Sequence, residues 1–240
     1  MQNVSMSHNN KSIIAIIPAR GGSKSIPKKN ITDFLGKPLL VWSIEAAKNS
    51  KFVQGVYVST DDKEIAAVAE AYGAKVVWRP QEIAGDLSPS EEALQHAIGE
   101  IEKTGQEQID YVVFLQATSP LRETKDVDNA VEKIMAEGAD SLFSGAAIGD
   151  FFIWRKLGDM LESVNYDYKN RKRRQDFGEQ FVENGSLYVF KPSILAEHNN
   201  RLGGKIVVSE MEFYKSFEID DAEDLEFCEA LARIKGFDNK

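Results

Sequence analysis

The sequence predicts an α/β fold: a mostly parallel sheet flanked by helices, with an inserted β-rich arm. Three observations predict it. The run from Ile13 to Ile17 is continuously apolar and rich in β-branched residues, which reads as a strand buried on both faces. Strand-like and helix-like stretches then alternate with short connections as far as Gly138, the pattern of right-handed βαβ units. From Asp140 onward that rhythm breaks, and short aromatic-rich strands take its place.

The elements follow in order. The first strand breaks at Pro18 and enters a loop containing Gly21, Gly22 and Ser23. Leu39, Leu40, Trp42, Ser43, Ala46 and Ala47 lie at helical spacing behind Pro38, which suits a first helical turn. Residues 55–59 form a strand, and the Ser-Thr-Asp-Asp that follows caps a helix over about 63–72, stopped by Gly73. Residues 75–78 form the third strand. The stretch 79–90 has no periodicity and reads as a functional loop. Ser88-Pro89 opens a helix to about Lys103. Residues 111–115 form another buried strand, followed by the polar loop 116–122 and a helix over 125–137. Residues 141–145, 151–157 and 185–190 are expected to be strands, and about 145–183 an insertion used for dimer contacts. The last unit is a strand over 216–219, then Asp220 and Asp221 capping a helix to about Ile234.

Composition narrows the function. At 240 residues and 42% apolar, the chain can build one core, expected over 13–240 behind a disordered leader, 1–12. A net charge of −9 argues against general nucleic-acid binding. A chain this acidic that handles a polyanion needs its cations in a local cluster. The lone Cys228 leaves no internal disulfide and suggests a reducing compartment, so a cytoplasmic location is expected. No apolar run reaches the length of a membrane span.

The first loop supplies the cluster: Arg20, Lys24, Lys28 and Lys29 surround the small residues. Glycine lets backbone N–H groups turn toward an anion with no Cβ in the way, and the cations attract several negative charges at once. Neither the Gly-x-x-x-x-Gly-Lys-[Ser/Thr] loop nor Gly-x-Gly-x-x-Gly is present. Three loops, 20–30, 79–90 and 116–122, each follow a strand and in an open α/β sheet would converge on one crevice. Arg79, Ser88 and Ser90 suit a base edge or ribose hydroxyls, or else Arg79 pairs with Glu82 or Asp86 and the serines cap the helix. Gln116 both donates and accepts hydrogen bonds. Glu218 and Asp220, two apart in a strand, would share a face and repel unless a cation sits between them. Mg²⁺ takes such carboxylates together with substrate phosphates; the other reading is a solvated strand end. The basic run 169–174 is expected to turn at least Arg174 toward the crevice.

Together these residues resemble the acylneuraminate cytidylyltransferase family, makers of CMP-sialic acids. The resemblance rests on Ile17-Pro-Ala-Arg-Gly-Gly-Ser-Lys with Pro27-Lys-Lys-Asn30, Val58-Ser-Thr-Asp61, Arg79-Pro80, Leu115-Gln-Ala-Thr-Ser-Pro-Leu-Arg122, Asn184-Gly185 and Ile219-Asp220, in that order. It implies a Rossmann-like domain with an arm that pairs subunits in a homodimer. It also implies a reaction: the anomeric hydroxyl of a nonulosonic acid attacks the α-phosphate of CTP, giving a CMP-sugar and pyrophosphate. By position, Arg20, Gly22, Ser23, Lys24 and Lys29 would hold the phosphates, with Lys29 nearest the α-phosphate. Asn30, Arg79, Ser88 and Ser90 would meet the nucleoside. Gln116, Arg174 and Tyr188 would position the sugar, and Glu218 and Asp220 would hold Mg²⁺. Lys29, Arg20 and Asp220 are the residues on which turnover is expected to depend most.

Two departures from the family pattern bear on the sugar. The first metal position, often Asp, is Glu218. Where sialic acid enzymes often read Arg-Pro-Asn-Gly, this chain reads Val182-Glu-Asn-Gly185, which leans toward a relative such as a legionaminic acid. Enzymes for pseudaminic acid and Kdo usually lack the Leu-Gln-x-Thr-Ser-Pro-Leu-Arg block and rank lower. A sugar-phosphate nucleotidyltransferase and a non-catalytic nucleotide-binding regulator are the remaining alternatives.

Overall fold

The run that opens the chain becomes β1 (Ile13–Pro18), with five of its residues in a row buried. The computed structural model describes residues 11–23, 25–104, 108–149, 151–173, 176 and 178–237. After β1 come a two-residue hairpin, β2 (Asp33–Phe34) and β3 (Lys37–Pro38), and then α1 (Leu39–Lys48). β4 (Gly55–Thr60), α2 (Lys63–Ala71), β5 (Lys75–Trp78), α3 (Ser90–Lys103), β6 (Tyr111–Leu115) and α4 (Thr124–Ala136) continue the alternation. β7 (Ser141–Ala147), the hairpin β8 (Trp154–Leu157) and β9 (Met160–Ser163), β10 (Phe181–Phe190), α5 (Pro192–His198), β11 (Ile206–Glu210) and α6 (Ala222–Ile234) complete it.

The main sheet runs β11-β7-β10-β6-β1-β4-β5. β1 is parallel to both its neighbours, β4 and β6, while β10 lies antiparallel between β6 and β7. Side chains alternate across a strand, and β1 uses both sides. Ile13, Ala15 and Ile17 pack with Leu40 and Ile44 of α1, Ile65 of α2 and Val127 of α4. Ile14 and Ile16 pack with Leu94, Ala97, Ile98 and Ile101 of α3. A third apolar cluster joins Leu39 and Trp42 of α1 to Cys228 and Ala232 of α6. α1 is therefore covered on nearly every side.

The helix starts follow the expected chemistry with small shifts. Asp62 caps α2, accepting from Glu64 N at 2.8 Å and Ile65 N at 3.0 Å. Asp221 and Asp224 form a capping box on α6, so Asp221 alone of the acid pair does the capping. Pro38 and Pro89 stand just before their helices rather than inside the first turn.

Other expectations are corrected. Residues 216–219 are not a strand. A 3-10 turn, Phe213–Ser216, leads into extended chain that pairs with no strand of the sheet among the described residues. Its anchor is Lys215, a buried ammonium ion-paired with Asp126 (2.8 Å) and Glu123 (2.9 Å) at the start of α4 and with Glu212 (3.0 Å) just before the turn itself. Burial works against that charge, but the hydrogen bonds to these carboxylates win and hold it above the ordinary lysine value. Within 151–157 only Trp154–Leu157 is strand, because the partner it can reach is β9. α5 and β11 went unforeseen, since seven residues of helix and an edge strand with one buried residue carry little periodicity. Most of the leader lies outside the described residues; Lys11 and Ser12 are fastened to Asp110 at 2.8 Å each.

Candidate active site

The three strand-end loops do converge. Arg20, Gly22, Ser23, Lys29, Asn30, Arg79, Ser88, Ser90 and Gln116 line one cleft of about 420 Å³, together with Asp86 and Phe114. Lys24 and Arg174 lie outside the described residues.

The first loop is shaped by its acids. Gly21 N donates to Asp61 at 2.9 Å, and a Cβ on Gly21 would come within 2.8 Å of Asp62. Only glycine lets the loop pack this closely against the turn after β4. Asn30 uses its amide nitrogen to hold the Arg20 carbonyl at 2.9 Å, which leaves its side-chain oxygen for a ligand. Lys28, in the left-handed region at φ 54°, pairs with Glu64 and turns the chain into the 3-10 segment Lys29–Ile31. Arg20 meets Asp86 at 2.7 Å, so the first and second loops are latched across the cleft mouth.

Arg79 takes neither of the acid partners open to it from sequence. Its side chain is buried and donates to Ser59, to Oγ at 3.2 Å and to the carbonyl at 2.8 Å. Burial lowers its pKa, with Asp61 pulling the other way. Among the described residues no side chain caps α3, so the Ser88 and Ser90 hydroxyls are not spent on capping.

Asp220, Glu218 and Tyr188 stand beside the cleft and not among the residues that line it; Asp220 meets the lining Lys29 in an ion pair at 2.8 Å. The lysine side chain is 15% exposed and the aspartate 69%, so the acid stands in solvent while the ammonium is nearly covered. Ser25 also donates to the Asp220 carbonyl. Ile219 N donates to the Thr118 carbonyl at 2.8 Å, which moors the acid-bearing segment to the third loop. Glu218 is pushed above the usual carboxylate range, by burial first and by Asp220 second.

β10 brings up the last wall. Between the Glu183–Gly145 and Tyr188–Phe143 pairings it advances five residues while β7 advances two, so it bulges. Gly185 sits in that bulge at φ 68°, and a Cβ there would lie 2.9 Å from the Gln116 amide and 3.8 Å from the Glu218 carboxylate. Gln116 and Glu218 therefore meet over a bare stretch of backbone. Tyr188 is buried, stacked on Phe114 at 5.5 Å, and donates its hydroxyl to Glu183. Burial and that bond push its pKa up to about 12, so it is a neutral donor at any physiological pH.

Sequence reasoning missed Asp61, Asp86, Phe114 and the structural role of Arg122. Arg122 is buried and donates to the Ser186 carbonyl at 2.6 Å, Ser186 Oγ at 2.9 Å and the Gln116 carbonyl at 3.2 Å, and also to Ser43 Oγ. The signal was an arginine directly after Leu121, a residue with no exposure at all.

Comparison with known proteins gives the family and the fold. Residues 14–239 match the family model described as "Cytidylyltransferase". N-acylneuraminate cytidylyltransferase A of Danio rerio is 41% identical over 212 residues, 87% of this chain and 48% of that protein. The chain thus spans about half the length of that relative. Pseudaminic acid cytidylyltransferase of Campylobacter jejuni is 35% identical over 225 residues, 92% of this chain and 96% of that protein. A solved CMP:2-keto-3-deoxy-manno-octonic acid synthetase, complexed with CTP, superposes with a TM-score of 0.68 over 94% of this chain and 100% of its own. At 16% identity that likeness speaks for the fold alone. With the family model covering nearly the whole chain and a relative matched from end to end, the protein belongs to the cytidylyltransferase family.

Proposed function

We propose that this chain joins CTP to the anomeric hydroxyl of a nonulosonic acid of the N-acetylneuraminic or legionaminic type, releasing pyrophosphate. The observation that carries the reading is the Lys29–Asp220 pair, 2.8 Å apart, joining the cleft-lining cation loop to the acid-bearing segment. The sugar hydroxyl oxygen forms a bond to the α-phosphorus, the bond to the bridging oxygen breaks, and the hydroxyl proton is lost. Catalysis of such a displacement is positioning plus neutralisation of charge. Arg20, Ser23 and the backbone at Gly22 face the phosphates. Arg79, Ser88, Ser90 and Asn30 stand where ribose and base would lie. Gln116, Tyr188 and the bulge at Gly185 receive the sugar.

The donor set suits Mg²⁺. Glu218 is disfavoured as an anion by burial and by the Asp220 charge, Asp220 is open to solvent, and hard oxygen donors are what this ion takes. Bound there, it would neutralise phosphate charge as a Lewis acid. Coupled pyrophosphate release with CTP and a panel of nonulosonic acids tests the whole reading. Turnover is expected with a free acid sugar and no 1-phosphate, to fall to background with EDTA, and to return with added Mg²⁺. Turnover that needs a sugar 1-phosphate would sink the assignment.

A run of exposed aromatics from Phe151 on the arm to Phe227 on α6 argues for a homodimer. Phe151 stacks on Phe213 at 5.4 Å, Phe213 meets Phe217 at 5.9 Å, and Phe217 meets Phe227 at 4.8 Å, all four exposed. An exposed aromatic ladder of this kind is covered in a working protein, and we assign it to the partner copy. Sedimentation at twice the chain mass is expected; a concentration-independent monomer would refute it. No described helix is long and apolar enough to cross a membrane. The buried Cys228 and the use of CTP fit a cytoplasmic enzyme.

A further inference from the structure

We propose that Glu183 is the specificity-determining residue of the sugar site, selecting a substrate that presents an N–H donor, an acylamino group, at the carbon facing it. The inference rests on the function proposed above and adds which substituent the site reads.

Asp86 in the cleft and the acids Asp220 and Glu183 beside it differ in what holds them. Asp86 is paired with Arg20 and Asp220 with Lys29, so each is matched by a cation. Glu183 is different. Its side chain is exposed, and the bond it makes is with the neutral hydroxyl of Tyr188. An ionised carboxylate has about four lone-pair sites, and one phenol fills one of them. Among the described residues, the cation over the Tyr188 ring is already committed. Arg201 lies over the Tyr188 ring at 4.3 Å and over Phe114 at 5.4 Å, with its charge paired to Glu91 at 2.6 Å.

Two contacts bring Glu183 beside the end of the cleft assigned to the sugar. Gly185, two residues further on, forms the bare floor between Gln116 and Glu218. Tyr188, which holds Glu183, is stacked on the cleft-lining Phe114. The bulge between them is pinned. Ser144 Oγ donates to Asn184 at 2.5 Å, Leu187 N donates to Ser144 Oγ at 2.9 Å, and Arg122 holds Ser186 from below. A fixed carboxylate with acceptor capacity left over, in a site otherwise built to attract anions, is unfavourable beside a sugar carboxylate. It is favourable beside a hydrogen-bond donor, where a charged acceptor makes roughly twice the bond of a neutral one.

The test uses matched nonulosonic acids that carry the same acyl group on nitrogen or on oxygen, taken for each acylated carbon in turn. The two differ only in the donor. With CTP saturating, the wild type is expected to show a KM about tenfold lower for the N-acyl sugar at one carbon, about 1.4 kcal/mol. Glu183→Ala should bring that ratio close to one, with the KM for CTP unchanged. Glu183→Gln, which can still accept from Tyr188, should keep part of the preference. Equal losses for both sugars in Glu183→Ala, or no preference at any carbon in the wild type, would overturn the inference and leave the function standing. Absence of CTP-dependent pyrophosphate release from the wild type would overturn both.

Discussion

Lys29→Ala leaves a folded protein whose turnover is lower by about 10²–10³-fold, the usual cost of removing one preorganised charge from a developing anion. Lys29 is more covered than Arg20, the other cation that the first loop is described as bringing to the cleft, and a covered charge acts through less water. Its partner Asp220 is largely solvated, so cutting the pair strands no buried charge. Exposed pairs of this kind are worth about 0–1 kcal/mol, or a few degrees of Tm at this chain length. The loss should fall on kcat with a smaller rise in the KM for CTP, because Arg20 and the loop backbone still hold the phosphates. Lys29→Arg should recover part of it, since charge is kept while the reach changes. Steady-state pyrophosphate release beside thermal melting separates the two effects. Near-normal turnover in Lys29→Ala would remove the first loop from the reaction.

That result bears on how much was legible in the sequence. β1 and β6 were readable because burial on both faces leaves an unbroken apolar run, and the loops that follow strands had to meet at one edge of the sheet. Nine of the site residues named from sequence line the same cleft for that reason. The acid pair was expected on a strand, and the geometry found is different. Glu218 and Asp220 sit on extended chain held by Lys215 and by Ile219 N, contacts between residues about ninety to a hundred apart that no local pattern encodes. Arg79 shows the same limit. Its acid neighbours in sequence were plausible partners, yet the close approach of β4 and β5 gave it Ser59. The bulge of β10 was invisible because Asn-Gly reads equally well as an ordinary turn.

The largest effect on stability is expected at Arg122. Its guanidinium joins three elements: Ser43 on α1, the Gln116 carbonyl in the third loop, and Ser186 on β10. Burial lowers its pKa to about 10, with Asp126 offsetting part of the cost, so it stays charged at neutral pH without a carboxylate in hydrogen-bond contact. Such a group opposes folding through desolvation and favours it through its bonds, and the sign of a substitution depends on what remains. The Ser186 carbonyl keeps the Gln116 N–H at 3.2 Å, and the Gln116 carbonyl keeps Ser43 Oγ at 3.1 Å, so those two acceptors survive. Ser186 Oγ loses its charged partner, and a side-chain-sized void opens. Arg122→Ala should therefore cost roughly 3–5 kcal/mol, while Arg122→Met, which fills the void and removes the desolvation penalty, should cost about half as much. Lysine is no substitute, because one ammonium cannot span α1 and β10 as the flat fork does. In Arg122→Met the loop and bulge lose their shared tether, so the KM for the sugar should rise more than the KM for CTP. Chemical denaturation ranks the stabilities, and the two KM values report on the tether. Equal stability of Arg122→Ala and the wild type would mean that the sheet and α1 hold these loops without it.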